Sequence, residues 1–317
     1  MTKQELRNEF VRLAEGENIQ DSLDLMDLYL GYLFLVANEH KKNDNTSISD
    51  SEAILINQML FSKIAHLRQV VKGIEYEAIN GIRLNRIVDP TVVAVLIRNI
   101  YETVAMFNLV NLSGQNADEK LILYNLWVIS GLKYRQKFVH EKLSAETVKK
   151  SEHEKLQIDK YIQEIMTTSL YKQLSTSNQN KIQEKIKRKD YKIRFNNNNV
   201  EFLDWQDLSK TMGIKDSIMG NIYTYFSLYS HPSNVSVFQF ADMFRKDVPH
   251  FIEMTNFNLR NAFFLLSVFI ADYIILFPEV LKIYNSIPIK DQIVINWLNV
   301  MARNNDYSIN DSFTNLN

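Results

Sequence analysis

The stretch AFFLLSVFIADYIILF (262–277) is apolar on every face that a helix would present, with Asp272 as its one charge. A helix that is apolar all round must be covered all round, by other helices or by lipid. Its 16 residues fall short of the roughly 20 that a membrane span takes. It is therefore read as a buried core helix, and no membrane association is expected. A chain that encloses such a helix needs several others around it. Eight glycines and five prolines in 317 residues leave few breakers, so the other helices are long and uninterrupted. With 46% hydrophobic residues the chain can bury a large core.

The pattern along the chain supports this reading. Residues 2–15 form a short polar helix and 22–38 an apolar one. Ser49 and Glu52 stand at the spacing of a capping box, which predicts a helix from about 50 to 79. In it Ile56, Leu60, Ile64, Leu67 and Val71 recur at helical spacing. Asp89-Pro90 opens another helix, Asp as N-cap and Pro at the first helical position, running to about 112. Further helices are expected over 117–142, 145–174, 216–230, 234–246, 249–277 and 288–302. YKIRF-NNNN-VEFLDW alternates polar and apolar residues on both sides of an asparagine loop, which predicts a small hairpin near 191–205. The fold class is all-α, a multi-helix bundle with long apolar core helices and that hairpin. The expected organisation is a helical half over 1–145, a charged helical arm over 146–200, a second half over 201–303 and a disordered tail over 304–317.

Composition removes several chemistries. There is no cysteine, which excludes disulfides, thiolate metal sites and a cysteine nucleophile. No H-E-x-x-H, P-loop or G-x-G-x-x-G is present, and no cluster of Asp and His has ligand spacing, so neither a metal nor a cofactor is expected. A formal net charge of −1 argues against a broadly basic nucleic-acid coat and leaves room for a local basic patch. MTKQELRNEF has no apolar core of a secretory signal, so a cytoplasmic location is expected.

Four groups of residues carry candidate chemistry. On the apolar helix 90–112, Arg98 and Glu102 sit four apart and share a face. Their pairing fits either a structural ion pair that sets helix register or a polar site lining a cavity. In NIYTYFSLYSHPSNV, Tyr223 and Ser227 precede His231 at a helix end stopped by Pro232. Such a histidine is either a cap or a titratable functional group. In KYRQKFVHEKL (133–143), Arg135 and His140 have an R-x4-H spacing that recurs at Arg245 and His250. On a straight helix residues five apart diverge by about 140°, so a bend or a partner chain would have to bring them together. Finally, 179–194 is lysine-rich, with Lys185, Lys187, Arg188, Lys189 and Lys192 interleaved with Tyr191. This is either an RNA- or anion-binding footprint or a solvated helix face.

Two resemblances attach to these residues. Arg98 and Glu102 in LIRNIYE, followed by Tyr223, Ser227 and His231 in YTYFSLYSHPS and then a long apolar helix, resemble the bacterial domain-of-unknown-function family 5677. That resemblance covers roughly 50–280 and implies a helical fold with no established activity. The R-x4-H spacing is similar to that of the HEPN superfamily of helical bundles, often dimeric and often metal-independent endoribonucleases in toxin or phage-defence systems. There the arginine is commonly followed by Asn, Asp or His; here Gln136 follows. That resemblance implies that Arg135 stabilises phosphate charge and His140 transfers protons at a ribose 2′-OH. The sequence leaves open whether the protein is an enzyme. The favoured expectation is a HEPN-like RNA- or nucleotide-binding protein with endoribonuclease activity and a homodimer as one arrangement. Its alternative is a non-catalytic helical interaction or scaffold protein. A small-molecule enzyme using Arg98, Glu102 and His231 is a third reading.

Overall fold

The computed structural model describes residues 2–15, 18–42, 47–138, 144–197, 199–243 and 249–310. The chain is all-α with two small antiparallel hairpins. Helices α1 (Lys3–Glu15), α2 (Ile19–His40) and α3 (Ile48–Val70) precede strands β1 (Ile74–Glu77) and β2 (Arg83–Ile87). Then come α4 (Pro90–Asn111), α5 (Ala117–Arg135), α6 (Ala145–Thr167), α7 (Ser169–Gln173) and α8 (Thr176–Arg188), and strands β3 (Ile193–Asn196) and β4 (Asn199–Phe202). The remaining helices are α9 (Leu208–Thr211), α10 (Asp216–Met219), α11 (Ile222–Ser230), α12 (Asn234–Met243), α13 (Pro249–Leu276), α14 (Leu281–Ser286) and α15 (Ile289–Ala302).

Local chemistry sets most of these boundaries. Asn18, Ser47, Asn116, Ser144 and Ser175 each accept a hydrogen bond from a backbone N–H three residues on, at the starts of α2, α3, α5, α6 and α8. Each satisfies one of the donors that a helix start leaves free. Asp89 does the same for α4, accepting from the Thr91 N–H at 2.8 Å. The α3 cap is thus Ser47 and not Ser49.

The largest departure from expectation lies after α3, where the predicted helix to about 79 stops at Val70. Gly73 (φ 81°) turns the chain, and a Cβ there would meet the Ile87 carbonyl oxygen at 2.7 Å. The first hairpin follows, turning at Asn80-Gly81. The Gly81 N–H donates to the Ala78 carbonyl at 2.8 Å, with Gly81 also at φ 81°. A turn followed by a left-handed glycine is a favoured hairpin connection. The second hairpin is the one predicted, with Ile193 opposite Phe202 and Asn196 opposite Asn199.

The contacts divide the chain into two units, residues 1–105 with 212–317, and residues 106–211. The first is built around α13, which packs on α2 and α15. Leu265, Val268, Phe269 and Ile270 are fully buried there. Polar side chains tie α2 to α13: Tyr29 Oη meets Ser267 Oγ at 2.6 Å, Ser22 donates to Asn256 at 2.9 Å, and Tyr273 Oη meets His40 Nε2 at 2.9 Å. Asp272, the lone charge of the apolar stretch, is answered by Arg303 at 2.7 Å, and both are sealed from water. Residues 304–310, expected as the start of a disordered tail, instead bond back to α15. Asn299 donates to the Tyr307 carbonyl at 2.6 Å and Asn296 to Ser308 Oγ at 3.0 Å.

In the second unit α5 packs on α6 and α8, burying Ile122, Leu126, Ile129, Ile165, Ile182 and Ile186. Ser130 Oγ donates to the Lys189 carbonyl at 2.6 Å. The Asn178 side chain ties α8 to β4 by accepting the Val200 N–H at 3.2 Å.

Candidate functional site

Arg98 and Glu102 are one turn apart on α4, and Arg98 Nε donates to Glu102 Oε1 at 3.1 Å. The remaining guanidinium nitrogens reach α11. Nη2 donates to Tyr223 Oη at 2.6 Å, and Nη1 lies 3.2 Å from His231 Nε2. The guanidinium carbon stands 4.8 Å above the Tyr223 ring centroid, within cation–π range. Tyr223 in turn donates to Glu102 Oε1 at 3.2 Å. A guanidinium has no acceptor and keeps its proton, so Nε2 of His231 is the acceptor of that contact and the ring proton sits on Nδ1. Arg98, Glu102 and Tyr223 thus close a ring of hydrogen bonds, which His231 joins through Arg98, and more than a hundred residues separate the α4 pair from the α11 pair.

The local sequence explains how each arrives. Arg98 and Glu102 share a face because they are i and i+4. His231 follows the last residue of α11, with extended backbone (φ −108°, ψ 144°). The following Pro232 favours that conformation. Tyr223 lies two turns earlier, and its ring packs against that of the buried Tyr101 at 5.5 Å. Ser227 is not part of the ring: its hydroxyl donates to the Tyr223 carbonyl at 2.7 Å.

The site is half open. The side chains of Arg98 and Glu102 are 21% and 26% exposed, and His231 is exposed. Burial pushes the Tyr223 phenol up and the charge of Glu102 adds to it, outweighing the hydrogen bond from Arg98. Tyr223 therefore remains a proton donor at neutral pH. A cavity of about 360 Å³ lies alongside, lined by Val92, Val95, Ser230, Pro232, Val237 and Phe240 among others.

Lys63 on α3 is a member that the sequence reading missed. Its ammonium donates to Thr103 Oγ1 at 2.5 Å. Burial pushes its pKa down, while the charge of Glu102 opposes that. The signal was present: Lys63 lies three residues after the buried Leu60 and four before the buried Leu67, on the apolar face of α3. Arg98 and Glu102 balance one another, Lys63 adds a cation whose charge burial opposes, and Asp89 lines the adjoining cavity.

The other candidates are differently placed. Arg135, at the end of α5, donates from Nε to Glu154 Oε2 at 3.0 Å and from Nη2 to Glu154 Oε1. This two-point grip matches the carboxylate geometry. Gln136 joins it, donating to the Ser151 carbonyl at 3.2 Å and accepting from Ser151 Oγ at 2.7 Å. His140 lies outside the described residues, as does Arg245 of the second R-x4-H match.

Within the lysine-rich segment, Lys185 and Lys192 both grip Asp190 at 2.6 Å, and Arg188 pairs with Glu184 at 2.5 Å. Burial alone would push Asp190 up, but the hydrogen bonds from Lys185 and Lys192 outweigh it and hold the carboxyl below its usual value. Lys192 also lies over the Trp205 ring at 4.8 Å. Lys187 and Lys189 form no ion pair with a described residue. Among the described residues no three of the His, Asp and Glu side chains gather as metal ligands would.

No curated protein and no solved structure matches the chain. Residues 82–247 match the model of the Family of unknown function (DUF5677). That span includes Arg98, Glu102, Tyr223 and His231 and covers more than half of the chain, which therefore belongs to that family.

Proposed function

We propose that the protein is a metal-independent endoribonuclease whose centre is the Arg98–Glu102–Tyr223–His231 cluster. The observation that supports this reading is the contact between the Arg98 guanidinium and His231 Nε2, in a partly open site beside a cavity. Cleaving RNA without a metal needs a base for the 2′-OH, a cation for the phosphoryl oxygens and an acid for the leaving group. His231, exposed and with Nε2 turned to Arg98, is the base. The 2′-oxygen gives its proton to Nε2 and attacks phosphorus, and the bond from phosphorus to the 5′-oxygen breaks. Tyr223 donates its proton to that departing oxygen, and the product ends are a 2′,3′-cyclic phosphate and a 5′-hydroxyl. Arg98 turns from His231 towards the phosphoryl oxygens, with Glu102 holding the guanidinium plane. The cavity beside Val95 and Pro232 takes a base or sugar face.

This reading keeps the chemistry that the HEPN resemblance implies and moves it from Arg135 and His140 to Arg98 and His231. The reason is electrostatic: Arg135 already offers both of its aligned donors to a carboxylate that is 6% exposed. The Arg135 side chain is itself 53% exposed, but a phosphate that took both donors would strand the buried Glu154 carboxylate, which is costly.

Purified full-length protein incubated with single-stranded RNA in EDTA is expected to give cyclic-phosphate ends and to leave the equivalent DNA intact, since DNA lacks the 2′-OH. Both Arg98→Ala and His231→Ala are expected to stop the reaction. An absence of cleavage, or cleavage at the wild-type rate in both variants, would sink the proposal. A second reading, an interaction module, is favoured by α12, where Val235, Val237 and Phe238 are all exposed. It predicts a self-associating or partner-bound protein with no RNA cleavage.

A further inference from the structure

The second unit holds an open groove of about 730 Å³, within the roughly 300–1,000 Å³ of small-molecule sites. Lys133, Lys137, Lys187 and Lys189 line it, with Ile162 and Ile186 among the apolar lining residues. We propose that this groove binds a compact polyphosphate group, as carried by inorganic polyphosphate or by a nucleoside triphosphate. The inference stands on the second unit alone and does not draw on the Arg98 cluster.

Three observations carry it. First, the four lysines come from two separate segments, the end of α5 with the turn after it and the end of α8, and converge on one groove. Among the described residues none of them has a carboxylate partner, whereas Lys185, Arg188 and Lys192 beside them all do. Second, capping does not account for them. Lys133 does cap α8, donating to the Ile186 carbonyl at 3.3 Å. The end of a helix dipole, however, carries only about half a charge, and four ammonium groups exceed it several-fold. Third, the lysines press on one another: burial and the charges of Lys137 and Lys133 lower the pKa of Lys189. Concentrated positive charge of this kind, with no carboxylate partner among the described residues, is relieved by a polyanion.

The placement also selects the class of anion. A nucleic-acid strand needs a track of cations along its backbone. Pairing with Asp190 and Glu184 removes the track that the sequence of 179–194 suggested. What remains is a single focus, matched to several phosphates close together. The half-buried Ile162 offers a nucleoside an apolar contact.

Calorimetric titration of the full chain, without magnesium, tests this with tripolyphosphate, ATP, AMP and a single-stranded oligoribonucleotide. Tripolyphosphate and ATP are expected to bind and to compete, with AMP at least about tenfold weaker. Lys137→Gln and Lys187→Gln are each expected to weaken binding about five- to tenfold, as lost charge-assisted contacts do. Lys150→Gln, an exposed charge on α6 outside the groove, is expected to change nothing. Equal affinity for tripolyphosphate and ATP would identify the phosphates alone as the recognised group, and tighter ATP would add the nucleoside. No binding, binding indifferent to Lys137 and Lys187, or an oligoribonucleotide that displaces tripolyphosphate through those lysines would each overturn the proposal.

Discussion

Arg98 and Arg303 both belong to the first unit, and each meets one carboxylate and one tyrosine ring. Arg303 lies 2.7 Å from Asp272 and 4.5 Å from the Tyr307 ring centroid. Arg98 lies 3.1 Å from Glu102 and 4.8 Å from that of Tyr223. Their surroundings separate them. The side chains of Arg303 and Asp272 are 0% and 3% exposed, so water and any ligand are shut out. Arg98 is partly open and adds a histidine and an adjoining cavity. An arginine–carboxylate pair over a tyrosine ring is thus a structural rivet when sealed and a candidate reaction centre when one side faces solvent.

The comparison breaks first at the sealed pair. Asp272→Ala strands a buried guanidinium and is expected to cost about 3–5 kcal/mol of stability, measured by urea unfolding. The double change Asp272→Leu with Arg303→Met is expected to recover most of that loss, because it removes both charges together. At the open pair the effect moves from stability to activity. Arg98→Lys loses the planar fork that reaches Glu102, Tyr223 and His231 at once. It is expected to lower RNA cleavage about a hundredfold or more while changing stability by about 1 kcal/mol or less. Arg135→Ala in the same assay is expected to leave cleavage unchanged. If Arg98→Lys unfolds the protein as Asp272→Ala does, the two arginines are alike and the distinction fails.

The smallest effect concerns His40, buried between Tyr273 and Phe277. Burial pushes its pKa below the ordinary value near 6.5, with opposing influence from Glu279 and Glu39. The unfolded chain then binds a proton more readily than the folded one, so this contribution is complete above about pH 6.5 and is lost as pH falls towards the folded value. Stability measured between pH 7 and 5 is expected to decline, and His40→Asn is expected to flatten that decline.

Elements with local causes were legible in the sequence. The Asp89-Pro90 start, the asparagine-turned second hairpin and the core helix around Asp272 all follow from spacing and capping chemistry. The first hairpin was also written locally, in Gly73 and in Asn80-Gly81, but the apolar spacing up to Val71 masked it. Helical periodicity carries past a helix end until a residue at positive φ stops it, and Gly73 is that residue. Residues 304–310 misled for a different reason. Their polar composition suits solvent, yet Asn296 and Asn299 bind them to α15, and no local pattern announces that.

The site divides along the same line. That Arg98 and Glu102 share a face, and that His231 ends a helix before Pro232, are consequences of one-dimensional spacing. That the two halves meet is not, since Tyr223 and His231 lie 125 and 133 residues from Arg98. The same holds for which charges are already answered: Arg135 by Glu154, Lys185 and Lys192 by Asp190, and Asp272 by Arg303. Sequence by itself determined the all-α class, most helix starts and the second hairpin, because those depend on neighbours within a few residues. Only the tertiary structure decided which arginine is sealed and which is open, because desolvation and ion pairing depend on whatever the fold brings within a few ångströms.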